Sequence, residues 1–235
     1  MTNHGATPRE TPGHLQHQWV VAGIVSASAR FIPVPFVDDL VQGQCRRFVV
    51  AKTLASHDTH LTTSQLKPYY STGGGCLSGC LGLLAKAPLK LLLFPVRKIV
   101  AVITSARGVP VEIMRMVLLG RMLDRYLEMG RVHPEADDAT KMRLAFEESF
   151  ARMDLRVVKA AVADALASVS GWKKAATDTA QEVAGPRDPA SDDFKPPKDV
   201  EAGAEKVEEV LRRPETLSLF ADFDKAFDSA FERLG

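Results

Sequence analysis

The sequence predicts an all-α fold, a multi-helix bundle, from three observations. Apolar residues recur every three or four positions through most of the chain, and no series of strands can be read anywhere in it. Prolines stand mostly where helices would begin, which is where a missing backbone N–H costs nothing. The chain divides into a disordered N-terminus over 1–13, a helical bundle domain over 14–172, a linker over 173–199 and a C-terminal helical tail over 200–235. The most apolar part of the bundle is the glycine-entered stretch from Thr72 to Val109.

In chain order, Leu15 to Phe31 is rich in Ala, Ser, Gly and Val, and ends just before Pro33 and Pro35. It reads as a first helix whose small residues admit a close neighbour. A second helix starts near Pro35, with Asp38 and Asp39 in its first turn complementing the positive end of the helix dipole. Phe36, Leu40, Val41, Cys45, Phe48, Val49 and Leu54 form its apolar face, with Arg46, Arg47 and Lys52 elsewhere. A short helical turn then falls around Pro68.

Gly73, Gly74 and Gly75 open the central stretch without the Lys-Ser/Thr of a phosphate loop or the strand of a dinucleotide fold. Their spacing with Gly79 and Gly82 instead permits close helix contact. Lys86, Lys90, Arg97 and Lys98 keep the stretch below the ~18 uncharged apolar residues that read as a membrane span. At ~100° per residue, Lys86, Lys90 and Arg97 lie within roughly 40° of one another on an uninterrupted helix, a basic stripe beside an apolar surface. Such a combination suits an interfacial helix near anionic head groups, and equally a buried bundle helix with snorkelling lysines.

Pro110 opens the next helix, which runs to about Gly130. Another opens near Pro134 and extends as far as Gly171, as one long helix or two with a bend. Met142, Phe146, Phe150, Met153, Val157, Ala161, Ala165 and Val169 supply its apolar face. The segment from Gly185 to Asp199, rich in proline and charge, has the profile of a linker. In the final helix Phe220, Phe223, Phe227 and Phe231 share one face. That stripe is either a latch folded back on its own domain or a helix-in-groove ligand for a protein partner.

Composition narrows the function classes. Acids and bases nearly cancel, with a net charge of +1, which argues against a dedicated nucleic-acid binder. The three cysteines, Cys45, Cys76 and Cys80, form no CxxC pair and predict no structural disulfide. The polar, proline-containing N-terminus lacks the basic and apolar regions of a signal peptide, so the expected location is cytoplasmic, with peripheral attachment to the inner face of the membrane left open.

Catalysis and metal binding have thin candidates. His57, Asp58 and His60 lie close together, but His-x-x-His without a third ligand at a recognisable spacing specifies no metal site. Asp38 and Asp39 are explained by the helix dipole alone. No cofactor and no catalytic residue is therefore expected.

The motif Ile32–Asp39, reading IPVPFVDD, and the TGGG sequence with the apolar run from Thr72 to Ile103 resemble bacterial proteins of the EcsC family and the related domain of unknown function 697. The likeness covers roughly residues 20 to 130. It implies a helical, membrane-associated protein and supplies no catalytic residues. The expected function is thus a non-enzymatic peripheral membrane protein acting through Lys86, Lys90, Arg97 and Lys98. The alternative is a soluble adaptor acting through the Phe220–Phe231 stripe, and a metal-dependent enzyme comes last.

Overall fold

A computed structural model describes residues 12–71, 108–132, 136–185 and 195–234. Among the described residues there are nine α-helices and no strand, and 79% are helical, so the all-α expectation holds.

Helix α1 (Gly13–Ser28) runs through the middle of the molecule, and every residue from Trp19 to Ser28 is buried. Its circumference is apolar or small all round, the composition of a helix with neighbours on every side. Those neighbours are α2 (Val37–Ala55), α4 (Val109–Glu128), α7 (Trp172–Ala184) and α8 (Lys198–Leu211). The small residues do allow close approach. A Cβ on Gly23 would lie 2.7 Å from the Cα of Ile113, and one on Gly120 would lie 2.3 Å from the Trp19 ring, so α1 and α4 pack antiparallel and nearly in backbone contact.

Polar groups inside this core are matched. Trp19 Nε1 donates to Thr53 Oγ1 at 3.0 Å, Ser26 Oγ to Glu112 Oε1 at 2.8 Å, and Tyr69 on α3 (Lys67–Tyr70) to the Leu119 carbonyl at 2.9 Å. Left unmatched, each would cost about 1 to 3 kcal/mol. Cys45 is fully buried in the same core.

The second half of the chain wraps this centre with α5 (Ala136–Ala151), α6 (Arg156–Ala167), α7, α8 and α9 (Pro214–Leu234). Several expectations change here. The segment 173–199 is no continuous linker, because α7 occupies 172–184 and packs on α1, α2 and α8. Its buried face is Ala176, Thr179, Ala180 and Val183, so small that its apolar periodicity is faint in the sequence.

Of the two readings left open for Pro134 to Gly171, one long helix or two with a bend, the chain forms two, and the break at 152–155 resets the register. Val158, Val162 and Leu166 face the core in α6, whereas Val157 is 67% exposed. The final helix is packed rather than tethered. Phe223 meets Phe146 of α5 edge-on, and Tyr126 of α4 meets Phe227 and Phe231 in the same way. Arg121 bonds Asp224 at 2.7 Å, and Arg125 and Tyr126 both bond Asp228, which fixes α9 against α4 with charge as well as apolar area.

Candidate functional site

The directions of the helices give the bundle two unlike ends. Ser26, near the end of α1, bonds Glu112 in the first turn of α4. Lys173, in the first turn of α7, sits 4.0 Å from the centre of the Phe31 ring, just past the end of α1. Asp199, in the first turn of α8, approaches Gly171 immediately before α7. Helix α2 begins after the short loop that follows Phe31. The N-termini of α2, α4, α7 and α8 therefore gather where α1 ends. None of the four has a side-chain cap, so backbone N–H groups and positive dipole ends converge there. Asp38, Asp39, Glu112 and Asp199 offset part of that potential from within the first turns.

The same end carries the exposed loop Pro33–Phe36. Val34 is 48% exposed, Phe36 50% and Leu40, one turn into α2, 45%. Phe36 has φ = 67°, the left-handed region, and among the described residues no other non-glycine residue has a positive φ. For a bulky L-residue that conformation costs roughly 1 to 2 kcal/mol. The strain turns an aromatic ring toward water instead of the core.

This corrects the sequence reading of α2, which put Phe36 and Leu40 on the buried face. Val41, Cys45, Phe48, Val49 and Leu54 are buried as expected, and Arg46 joins them at 8% exposure. Helical periodicity begins only at Val37, so Phe36 lies outside it. Leu40 sits in the first turn, beyond the reach of the neighbours that cover the helix further on. The two prolines flanking Val34 were the available signal that the chain here is an extended, protruding loop.

Lys86, Lys90, Arg97 and Lys98 lie outside the described residues, as do Cys76, Cys80 and the glycines of the TGGG motif. The chain re-enters the described structure at Gly108, directly before α4, and hence at the end that carries Val34 and Phe36. No helix among the described residues is long and apolar enough to cross a membrane. The tail phenylalanines Phe220, Phe223 and Phe227 are buried and Phe231 partly so, all within the chain's own core; of the two roles expected for the stripe, latch or partner's ligand, the packing is that of the latch.

At the opposite end, His57 and its neighbours form a second constellation. Helix α4 ends in a Schellman turn: Gly130, with φ = 64°, donates to Leu127 and Arg131 to Tyr126. Between this turn and the segment after α2 is a cleft of about 480 Å³ whose walls include His57, Asp58, His60, Leu61, Leu127 and Val132. His57 Nε2 lies 2.8 Å from Asp124 Oδ1, and that carboxylate is almost fully buried on α4. Among the described residues no group of three or more His, Cys, Asp or Glu side chains is placed to hold a metal ion.

A third cluster joins α1 to α8. His17 Nδ1 lies 2.5 Å from Glu208 Oε1 and its Nε2 lies 2.6 Å from Glu201 Oε2. Burial works to lower the pKa of this ring, yet the hydrogen bonds and charges of the two glutamates outweigh it and the net shift is upward. With carboxylates on both nitrogens, the protonated imidazolium is the form that satisfies both contacts.

No protein-family model, curated protein or solved structure matches the chain.

Proposed function

We propose that the protein is a non-enzymatic, EcsC-like peripheral membrane protein of the cytoplasmic face, and that it meets anionic bilayers with the end carrying Val34, Phe36 and Leu40. The observation that carries this reading is the exposed apolar loop at Phe36, held in a strained conformation that a buried or purely structural residue would have no reason to keep. Three exposed apolar side chains on one loop and the adjoining turn form a wedge suited to the acyl boundary. The uncapped N-termini of four helices, with Lys173 and Lys198 exposed beside them, favour negatively charged head groups around it.

The test is vesicle co-sedimentation. Wild-type protein is expected to pellet with phosphatidylglycerol-containing vesicles and to do so less as salt is raised. The triple variant Val34→Ser, Phe36→Ser, Leu40→Ser should stay in the supernatant while keeping its helical circular dichroism. Wild type that fails to pellet at low salt, or a triple variant that pellets as well as wild type, overturns the reading.

A further inference from the structure

We infer that the cleft between the C-terminal ends of α2 and α4 is a binding site for a small organic cation, a primary ammonium group on a short alkyl chain. The inference is independent of the membrane reading, and the site lies at the other end of the bundle.

Three features set the sign of the ligand. The cleft is flanked by two helix C-termini, where carbonyl groups and the negative ends of the dipoles point outward. Among the described residues its walls include the exposed carboxylate of Asp58 and contain no Lys or Arg; Arg131, between Gly130 and Val132, is exposed and is not among them. Behind His57 stands the buried carboxylate of Asp124. Asp124 is buried in the helical core, and its hydrogen bond to His57 holds that imidazole in a defined orientation.

The state follows from the donor rules. The Asp124 carboxylate only accepts, so His57 Nε2 carries the proton and donates it at 2.8 Å. Nδ1 is then the ring nitrogen that Asp124 does not engage, on a side chain that lines the cleft. An ammonium offers N–H donors, and the acceptors that line the cleft are the His57 ring, the Asp58 carboxylate and the imidazole of His60. Leu61, Leu127 and Val132 provide the apolar wall for the alkyl chain. The volume is in the range of small-molecule sites and generous for such a ligand. A metal ion is the poorer occupant, since among the described residues no group of three His, Cys, Asp or Glu side chains is placed to hold one.

The experiment is a titration of the full chain with 1,4-diaminobutane, followed by the imidazole NMR signals of His57 and His60 and by calorimetry. The neutral isostere 1,4-butanediol and the anion acetate serve as controls. Saturable binding that moves both imidazole signals is expected, with neither control reproducing it. Asp58→Asn should weaken it about fivefold. Because Asp58 is exposed and has no hydrogen-bond or ion-pair partner among the described residues, this variant should keep the wild-type unfolding midpoint. Absence of saturation at millimolar diamine, an equal response to the diol or acetate, or unchanged affinity in Asp58→Asn overturns the inference.

Discussion

At one end of the bundle four helices begin, and the side chains that protrude are Val34, Phe36 and Leu40; at the other, α2 and α4 end, and His57, Asp58 and His60 line a polar cleft. The same helices make both ends. Because α2, α4, α7 and α8 run in one sense around the oppositely directed α1, their dipoles add instead of cancelling. A chain with a net charge of +1 thereby carries the positive ends of four helix dipoles toward one end and their negative ends toward the other. The apolar end is strained and open, whereas the polar end is tied by a buried charge. Stability and surface contact are consequently held in different places.

This comparison can be broken by substitution, beginning with the frame that holds both ends. Phe223→Ala removes a ring that is 1% exposed and packed on Phe146 and Phe227. It should cost about 4 kcal/mol in urea unfolding. A loss near zero would mean that α9 is detachable and the Phe stripe available to a partner. Asp124→Ala, at the polar end, abolishes a buried carboxylate and strands His57, and should cost about 3 kcal/mol by the same measurement.

Phe36→Gly tests the apolar end with the opposite sign. Glycine adopts the left-handed conformation freely, so relief of strain should outweigh its greater unfolded-state entropy and raise stability by about 1 kcal/mol, while vesicle binding falls. Destabilisation by this change would show that the ring is packed rather than presented.

The smallest effect is a pH dependence at His17. Its pKa is raised above 6.5 in the folded chain by Glu201 and Glu208 against the opposing effect of burial. The stabilisation is accordingly complete below 6.5 and is lost as pH rises through the raised value. Between about pH 6 and about pH 8, wild type should lose more stability than His17→Gln, whose unfolding midpoint lacks this contribution. Parallel profiles would remove His17 from the account.

Much of the helical framework was legible because its periodicity is carried by large residues. Helix α4 shows Ile113, Met116, Val117, Met122 and Leu123 at helical spacing, and its expected end at Gly130 coincides with a Schellman turn. Helix α7 was hidden because alanine and threonine form its core face. The register of α6 was missed because a three- or four-residue repeat continues through a break without showing where it resets. The site was less legible for a different reason. Phe36 and Leu40 have the residue types of a core, and only the backbone dihedral and the limit of neighbouring helices reveal that they face outward. Pairings across the chain, such as His57 with Asp124 or His17 with Glu201 and Glu208, join positions whose separation carries no periodic signal.

The central claim, that the Phe36 end meets the bilayer, is tested most directly by the depth of that side chain. In a Trp172→Phe background the remaining native tryptophan, Trp19, is 1% exposed within the core. A tryptophan introduced by Phe36→Trp should be quenched by bilayers of brominated phosphatidylglycerol, while Trp19 alone is not. Bound protein whose Phe36→Trp fluorescence is no more quenched than that of Trp19 would contradict the account.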